Sequence, residues 1–110
     1  MPIPNPRYVI LMTFTEAGAQ DVSAALAAIE QTRSVLEPLQ ATEHAFVVTM
    51  GGYDIVTAIE AEGDDAAAYY ARSLSDTGFV TTETLRGYEP SDFRTLMGLG
   101  PLDVVMRIRG

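Results

Sequence analysis

Apolar residues run almost without a break from Tyr8 to Phe14 (Tyr-Val-Ile-Leu-Met-Thr-Phe), the pattern of a strand covered on both faces. Prolines at positions 2, 4 and 6 hold the entry extended and deny it ladder donors. Thr15 predicts a helix cap, with Glu16 in the first turn. Val22, Leu26, Ile29, Leu36 and Leu39 then mark a single stripe at helical spacing, which Pro38 brings to an end. Strands are predicted over 43–49 and 54–61, joined by Thr49-Met50-Gly51-Gly52-Tyr53-Asp54. A Gly-Gly step accepts the positive φ angles that tight hairpins require. Gly63-Asp64-Asp65 opens a second helix with an inward stripe of Ala67, Tyr70, Ala71 and Leu74, stopping near Gly78. Phe79 to Leu85 is rich in β-branched residues and predicts a fourth strand. A short helix follows from Pro90 to Met97, and Leu102 to Ile108 is apolar enough for a fifth strand.

The order β-α-β-β-α-β predicts an α+β, ferredoxin-like domain over residues 7–97, with a strand-like tail over 98–110. Right-handed crossovers return both helices to one side of the antiparallel sheet. The other side is left bare, yet the second strand is largely apolar on both faces: His44, Phe46 and Val48 alternate with Ala45, Val47 and Thr49. A bare apolar face needs a partner, and the expected partner is a second copy, packed sheet to sheet around an enclosed space. The tail is expected on the sheet edge or on the partner.

Composition narrows the chemistry. At 110 residues the chain is one domain, and 47% apolar content predicts folding rather than disorder. A net charge of −8, with 15 acidic against 7 basic residues, argues against nucleic acid and against anionic membrane surfaces. There is no cysteine, hence no thiolate nucleophile, zinc knuckle or iron–sulfur cluster. All seven cations are arginine, which excludes Schiff-base catalysis and a phosphate-loop lysine. The start carries no signal-peptide pattern, and no apolar run approaches the ~20 residues that span a bilayer. A cytoplasmic location is expected.

The candidate chemistry is sparse. Tyr53 and Asp54 offer a phenol and a carboxylate able to bind a polar substituent and relay a proton; equally, Asp54 suits capping its own turn while Tyr53 covers the dimer seam. His44, the single histidine, offers an imidazole, the side chain that suits a general base. A haem would have to use it as axial ligand, and one histidine cannot make a multi-histidine metal site, so neither cofactor nor metal is expected. Thr82, Thr84 and Arg86 share one face of the fourth strand, offering hydroxyls and a guanidinium to an anion, with Glu83 turned toward the helices or the edge. Thr49 and Phe46 complete the predicted substrate contacts. Five methionines suit a pocket for a flat apolar ligand, or plain core filling.

At this point the chain resembles the GYD-domain family, a small bacterial and archaeal group similar to the wider dimeric α/β-barrel superfamily. The resemblance rests on Tyr8-Val9-Ile10-Leu11, Phe14-Thr15 and Gly18, then on Thr49-Met50-Gly51-Gly52-Tyr53-Asp54 with Val56. Glu60, Asp64 and Asp65, and later Val80, Thr82, Thr84 and Leu85-Arg86, extend it to about Phe93. The glycine pair expected after Pro38 is missing. The resemblance implies the dimeric barrel. Across the superfamily it also implies cofactor-free monooxygenases, polyketide cyclases, lactone isomerases, haem enzymes and ligand sensors, so fold leaves function open.

Two functional readings follow. In the first, the chain is a cofactor-free cyclase, isomerase or monooxygenase for an apolar, aromatic or polyketide-like substrate. Tyr53, Asp54 and His44 move protons and Arg86 steadies an anion. In the second, it is a dimer that binds or senses a metabolite without chemistry.

Overall fold

A computed structural model describes residues 5–99. Its strands are β1 (Arg7–Phe14), β2 (Thr42–Val48), β3 (Ile55–Glu60) and β4 (Val80–Gly87). Its helices are α1 (Glu16–Gln20), α2 (Val22–Thr32), α3 (Asp64–Ser75) and α4 (Pro90–Met97). The strands form one sheet in the order β2-β3-β1-β4, and every pairing is antiparallel. This is the ferredoxin-like arrangement predicted above. The expected fifth strand lies outside the described residues.

Side-chain alternation along the strands builds the core. Tyr8, Ile10 and Met12 of β1 and Ile55, Thr57 and Ile59 of β3 are buried, and they pack with Ile29, Ala67, Tyr70, Ala71 and Leu74 of the helices. Fully burying an aliphatic side chain of this size contributes about 1.5–3 kcal/mol, so this layer carries the fold. The opposite parity presents Val9, Leu11, Val56 and Ala58, flanked by Ala45, Val47 and Leu85, and no helix among the described residues covers it.

Three local expectations are corrected. The first helix is not continuous: Asp21 breaks it, and its side chain caps α2 by accepting from the Ala24 amide at 3.0 Å. Val22 therefore stands exposed instead of on the inward stripe, while Ala25 is fully buried. The regular helix stops at Thr32 and one turn of 3₁₀ helix, Arg33–Val35, leads out of it. Second, the turn between β2 and β3 is longer than a tight hairpin: Thr49 N–H donates to the Asp54 carbonyl, with only Gly51 at positive φ. Third, β2 carries a bulge between Glu43 and Ala45. The extra residue undoes the simple alternation, so His44 and Phe46 do not share a face as expected.

Candidate functional site

The Tyr53-Asp54 step is fastened to the rest of the sheet by its own hydrogen bonds. Asp54 Oδ2 accepts from the Phe14 amide at 2.8 Å, and the Asp54 amide donates to the Met12 carbonyl at 2.8 Å. Thr49 Oγ1 donates to the Tyr53 carbonyl at 2.6 Å. The carboxylate thus ties the β2–β3 turn to the end of β1, a cap on a backbone donor that would otherwise be unpaired. The Tyr53 hydroxyl donates to Glu83 Oε2 at 2.6 Å, and that bond, with the charge of Glu83, lifts its pKa above the ordinary value.

His44 sits at the far end of the same pair of strands. Its Nε2 lies 3.1 Å from Glu60 Oε1, which is also 3.7 Å from Arg7 Nη2. Arg7 in turn pairs with Glu89 at 3.1 Å. The three expected proton-moving residues are therefore not brought together: Tyr53 and Asp54 adjoin the Val48–Ile55 end of the ladder, His44 the Thr42–Glu60 end. Phe46 turns toward the core and lies under the Arg33 guanidinium at 4.4 Å. Arg33 Nε is 2.8 Å from Glu43 Oε1, while Glu43 Oε2 accepts from the buried Thr57 hydroxyl at 2.8 Å.

On β4 the register pairs Tyr8 with Arg86, Ile10 with Thr84 and Met12 with Thr82. Thr82, Thr84 and Arg86 do share a face, and it is the helix side. Glu83 points to the bare face, opposite to the expectation, because its antiparallel partner Leu11 belongs to that face. Arg86 Nη1 lies 3.3 Å from Asp64 Oδ1, and the same oxygen accepts from the Tyr8 hydroxyl at 2.5 Å. Burial first, then the hydrogen bond and charge of Asp64, push the Tyr8 phenol up to about 12. The Arg86 guanidinium also stands 5.6 Å from the centre of the Tyr88 ring. These groups lie beside an open cleft of about 1080 Å³, walled by Pro6, the Pro38–Gln40 turn, Glu62 to Ala66 at the start of α3, Tyr69, Tyr88 and Leu96.

The GYD domain, as a family model, matches residues 8–97. The chain belongs to the GYD-domain family. None of the curated proteins matches it. Among solved structures it is similar to the C-terminal domain of the MgtC protein from Mycobacterium tuberculosis, with 16% identity and a TM-score of 0.50. That match covers 76% of this chain and 88% of the other. A de novo designed protein with a ferredoxin fold, LFR1 1, aligns at 12% identity and a TM-score of 0.49, over 80% of this chain and 88% of that one. The first likeness shows the fold alone.

In this GYD domain the Tyr53-Asp54 step of the signature is hydrogen-bonded to β1 and β4, and the cleft stands at the other end of the sheet. In the sequence pattern Tyr8 is a strand residue and Asp64 a helix start. No spacing rule joins residues 56 positions apart. The one available signal was the parity of Arg86, which the register with β1 converts into a contact with Tyr8's own partner. Among the described residues no helix is long and apolar enough to cross a membrane, and no group of three or more His, Asp or Glu is placed to hold a metal ion.

Proposed function

We propose that this GYD domain binds a small organic molecule without transforming it, and that it works as a homodimer joined through the bare sheet face. The observation that carries the reading is the cleft. Aromatic rings, apolar side chains and the Asp64–Arg86 pair, backed by the buried Tyr8 hydroxyl, meet at one concave surface, the usual make-up of a ligand site. The alternative, a cofactor-free cyclase, isomerase or monooxygenase using Tyr53, Asp54 and His44, has less to rest on. The Asp54 carboxylate is spent on a backbone amide, and His44 is paired with Glu60 at a distance from it. The dimer is supported by the apolar run Val9, Leu11, Val56 and Ala58, which a second copy would shield from water.

A small-molecule screen against isotope-labelled protein, read by amide chemical shifts, tests this reading. Hits are expected to move residues 62–66 and 86–88, and Tyr88→Ala is expected to weaken them about fivefold or more, the scale of losing one aromatic contact. Asp54→Asn and His44→Ala are expected to leave binding unchanged. Hits that map to the Tyr53 turn, or turnover lost in the Asp54 and His44 variants, would return the enzyme reading.

A further inference from the structure

Strand β4 forms one margin of the sheet, and its outer row of backbone groups is open. The Thr15 amide donates to the Phe79 carbonyl at 2.9 Å, so these two positions form a hydrogen-bonded pair at the end of the β1–β4 ladder. Such pairs recur at every second residue. Positions 81, 83, 85 and 87 therefore bond inward to β1, and the amides of Thr82, Thr84 and Arg86 point outward. None of these three amides has a hydrogen-bond partner among the described residues. A regular eight-residue edge of this kind is a template for another strand. The opposite edge, β2, is blunted by its bulge between Glu43 and Ala45.

The chain supplies a strand at the right place. Leu96 of α4 lines the cleft with Arg86 and Tyr88, so the chain is back at the Gly87 end of β4. Gly98, at a φ of 68°, turns it out of the helix, and Leu99 is the last described residue. Residues 102–108 (Leu-Asp-Val-Val-Met-Arg-Ile) follow at once and match β4 in length. Running away from the cleft, they would lie antiparallel to β4 after a connection of only a few residues. Charge selects the register. Among the described residues Glu83 meets the Tyr53 hydroxyl and no cation, whereas Arg86 is already paired with Asp64. Arg107 set opposite Glu83 neutralises it, and the same register sets Val105 beside Leu85, widening the bare apolar face.

We infer that residues 102–108 add to their own sheet as a fifth strand, antiparallel to β4, with Arg107 facing Glu83. In this register the amides of Val104, Met106 and Ile108 turn toward β4, and that of Val105 turns away. The added strand fastens α4 at both ends, a helix that buries no residue of its own. It also closes the β4 edge, leaving the sheet face as the surface open to a second copy. The assignment is independent of what the cleft binds.

Amide hydrogen exchange of the isotope-labelled full chain tests this. Thr82, Thr84 and Arg86 are expected to exchange about tenfold or more slowly than unpaired amides. Met106→Pro removes an N–H that faces Thr84, and it is expected to abolish that protection. Val105→Pro is expected to preserve it, because a proline there costs only an outward N–H. Fast exchange at all three amides in the parent chain, which needs no variant to fold, overturns the pairing. Protection of Phe46 and Val48, the outward amides of β2, in place of the β4 amides also overturns it. An equal response to the two prolines, or loss of protection in Val105→Pro alone, overturns the register. Nuclear Overhauser contacts are also read in a mixture of labelled and unlabelled chains. Contacts from 102–108 to β4 within one chain are expected, and contacts between chains overturn the assignment to the same copy.

Discussion

Gly18 fills a position with no room for a side chain. A Cβ there would stand 2.2 Å from the Phe79 carbonyl oxygen, and the residue is buried where α1 meets the corner leading into β4. Thr15 locks the same corner: its hydroxyl donates to the Gly78 carbonyl at 2.7 Å and accepts from the Gly18 amide at 3.2 Å, while its amide donates to the Phe79 carbonyl at 2.9 Å. Gly18→Ala must therefore push backbone against backbone, and a loss of about 1–3 kcal/mol is expected, the usual scale of overpacking. Urea unfolding checks it, as a lower midpoint at unchanged slope. Gly52→Ala is the control, since a Cβ there meets open space and the residue has no positive φ. Equal midpoints for the two variants would show that the corner yields freely.

Helix α3 presses a phenol into the core that the sheet does not answer. Tyr70 is fully buried, and its hydroxyl has no hydrogen-bond partner among the described residues. Burial lifts its pKa to about 12, with the charge of Glu43 adding to the rise and Arg33 opposing it. Tyr8 is raised to about 12 as well, by burial and then by Asp64. An unfolded tyrosine ionises near pH ~10. Between roughly pH 10 and 12 the folded chain keeps protons that the unfolded chain has lost, so stability is present below that window and falls as pH rises through it. Tyr70→Phe removes a hydroxyl that contributes no bond. Its stability near neutrality is expected to be unchanged or higher by up to about 1 kcal/mol, with a shallower decline in alkali. Denaturant titrations near neutrality and near pH ~11 check both halves. A loss beyond about 2 kcal/mol near neutrality would mean that the hydroxyl has a partner after all.

The two faces of the sheet set the behaviour of the molecule as a unit. One is sealed by α2 and α3; the other offers Val9, Leu11, Val56 and Ala58 between two polar margins, Tyr53–Glu83 and His44–Glu60–Arg7. If a second copy covers this face, Leu11→Glu places a charge at its centre, beside Glu83 on the neighbouring strand. The expected outcome is a dimer for the parent chain at micromolar concentration and a monomer for the variant, read by size exclusion with light scattering. The variant's helical signal should be retained, because Leu11 takes no part in the helix-side core. A parent chain that elutes as a monomer removes the dimer and leaves the cleft, which one protomer forms alone.

Period and punctuation along the chain were enough for the order of elements, the inward stripe of α3 and the start of α4 at Pro90, because each depends on neighbours within one or two turns. They were also enough to place Thr82, Thr84 and Arg86 on one face, since a strand repeats every two residues. They misplaced His44, because a bulge shifts parity and leaves no mark in composition. They ran the first helix through Asp21, where a side-chain cap stops one helix and starts another. Tyr8, Asp64 and Arg86 meet only because antiparallel register sets β1 beside β4 while α3 begins above them. Local pattern fixes which way a side chain faces relative to its neighbours; which carboxylate it then meets depends on strand register and on where each helix begins, and both are set by packing across the whole domain.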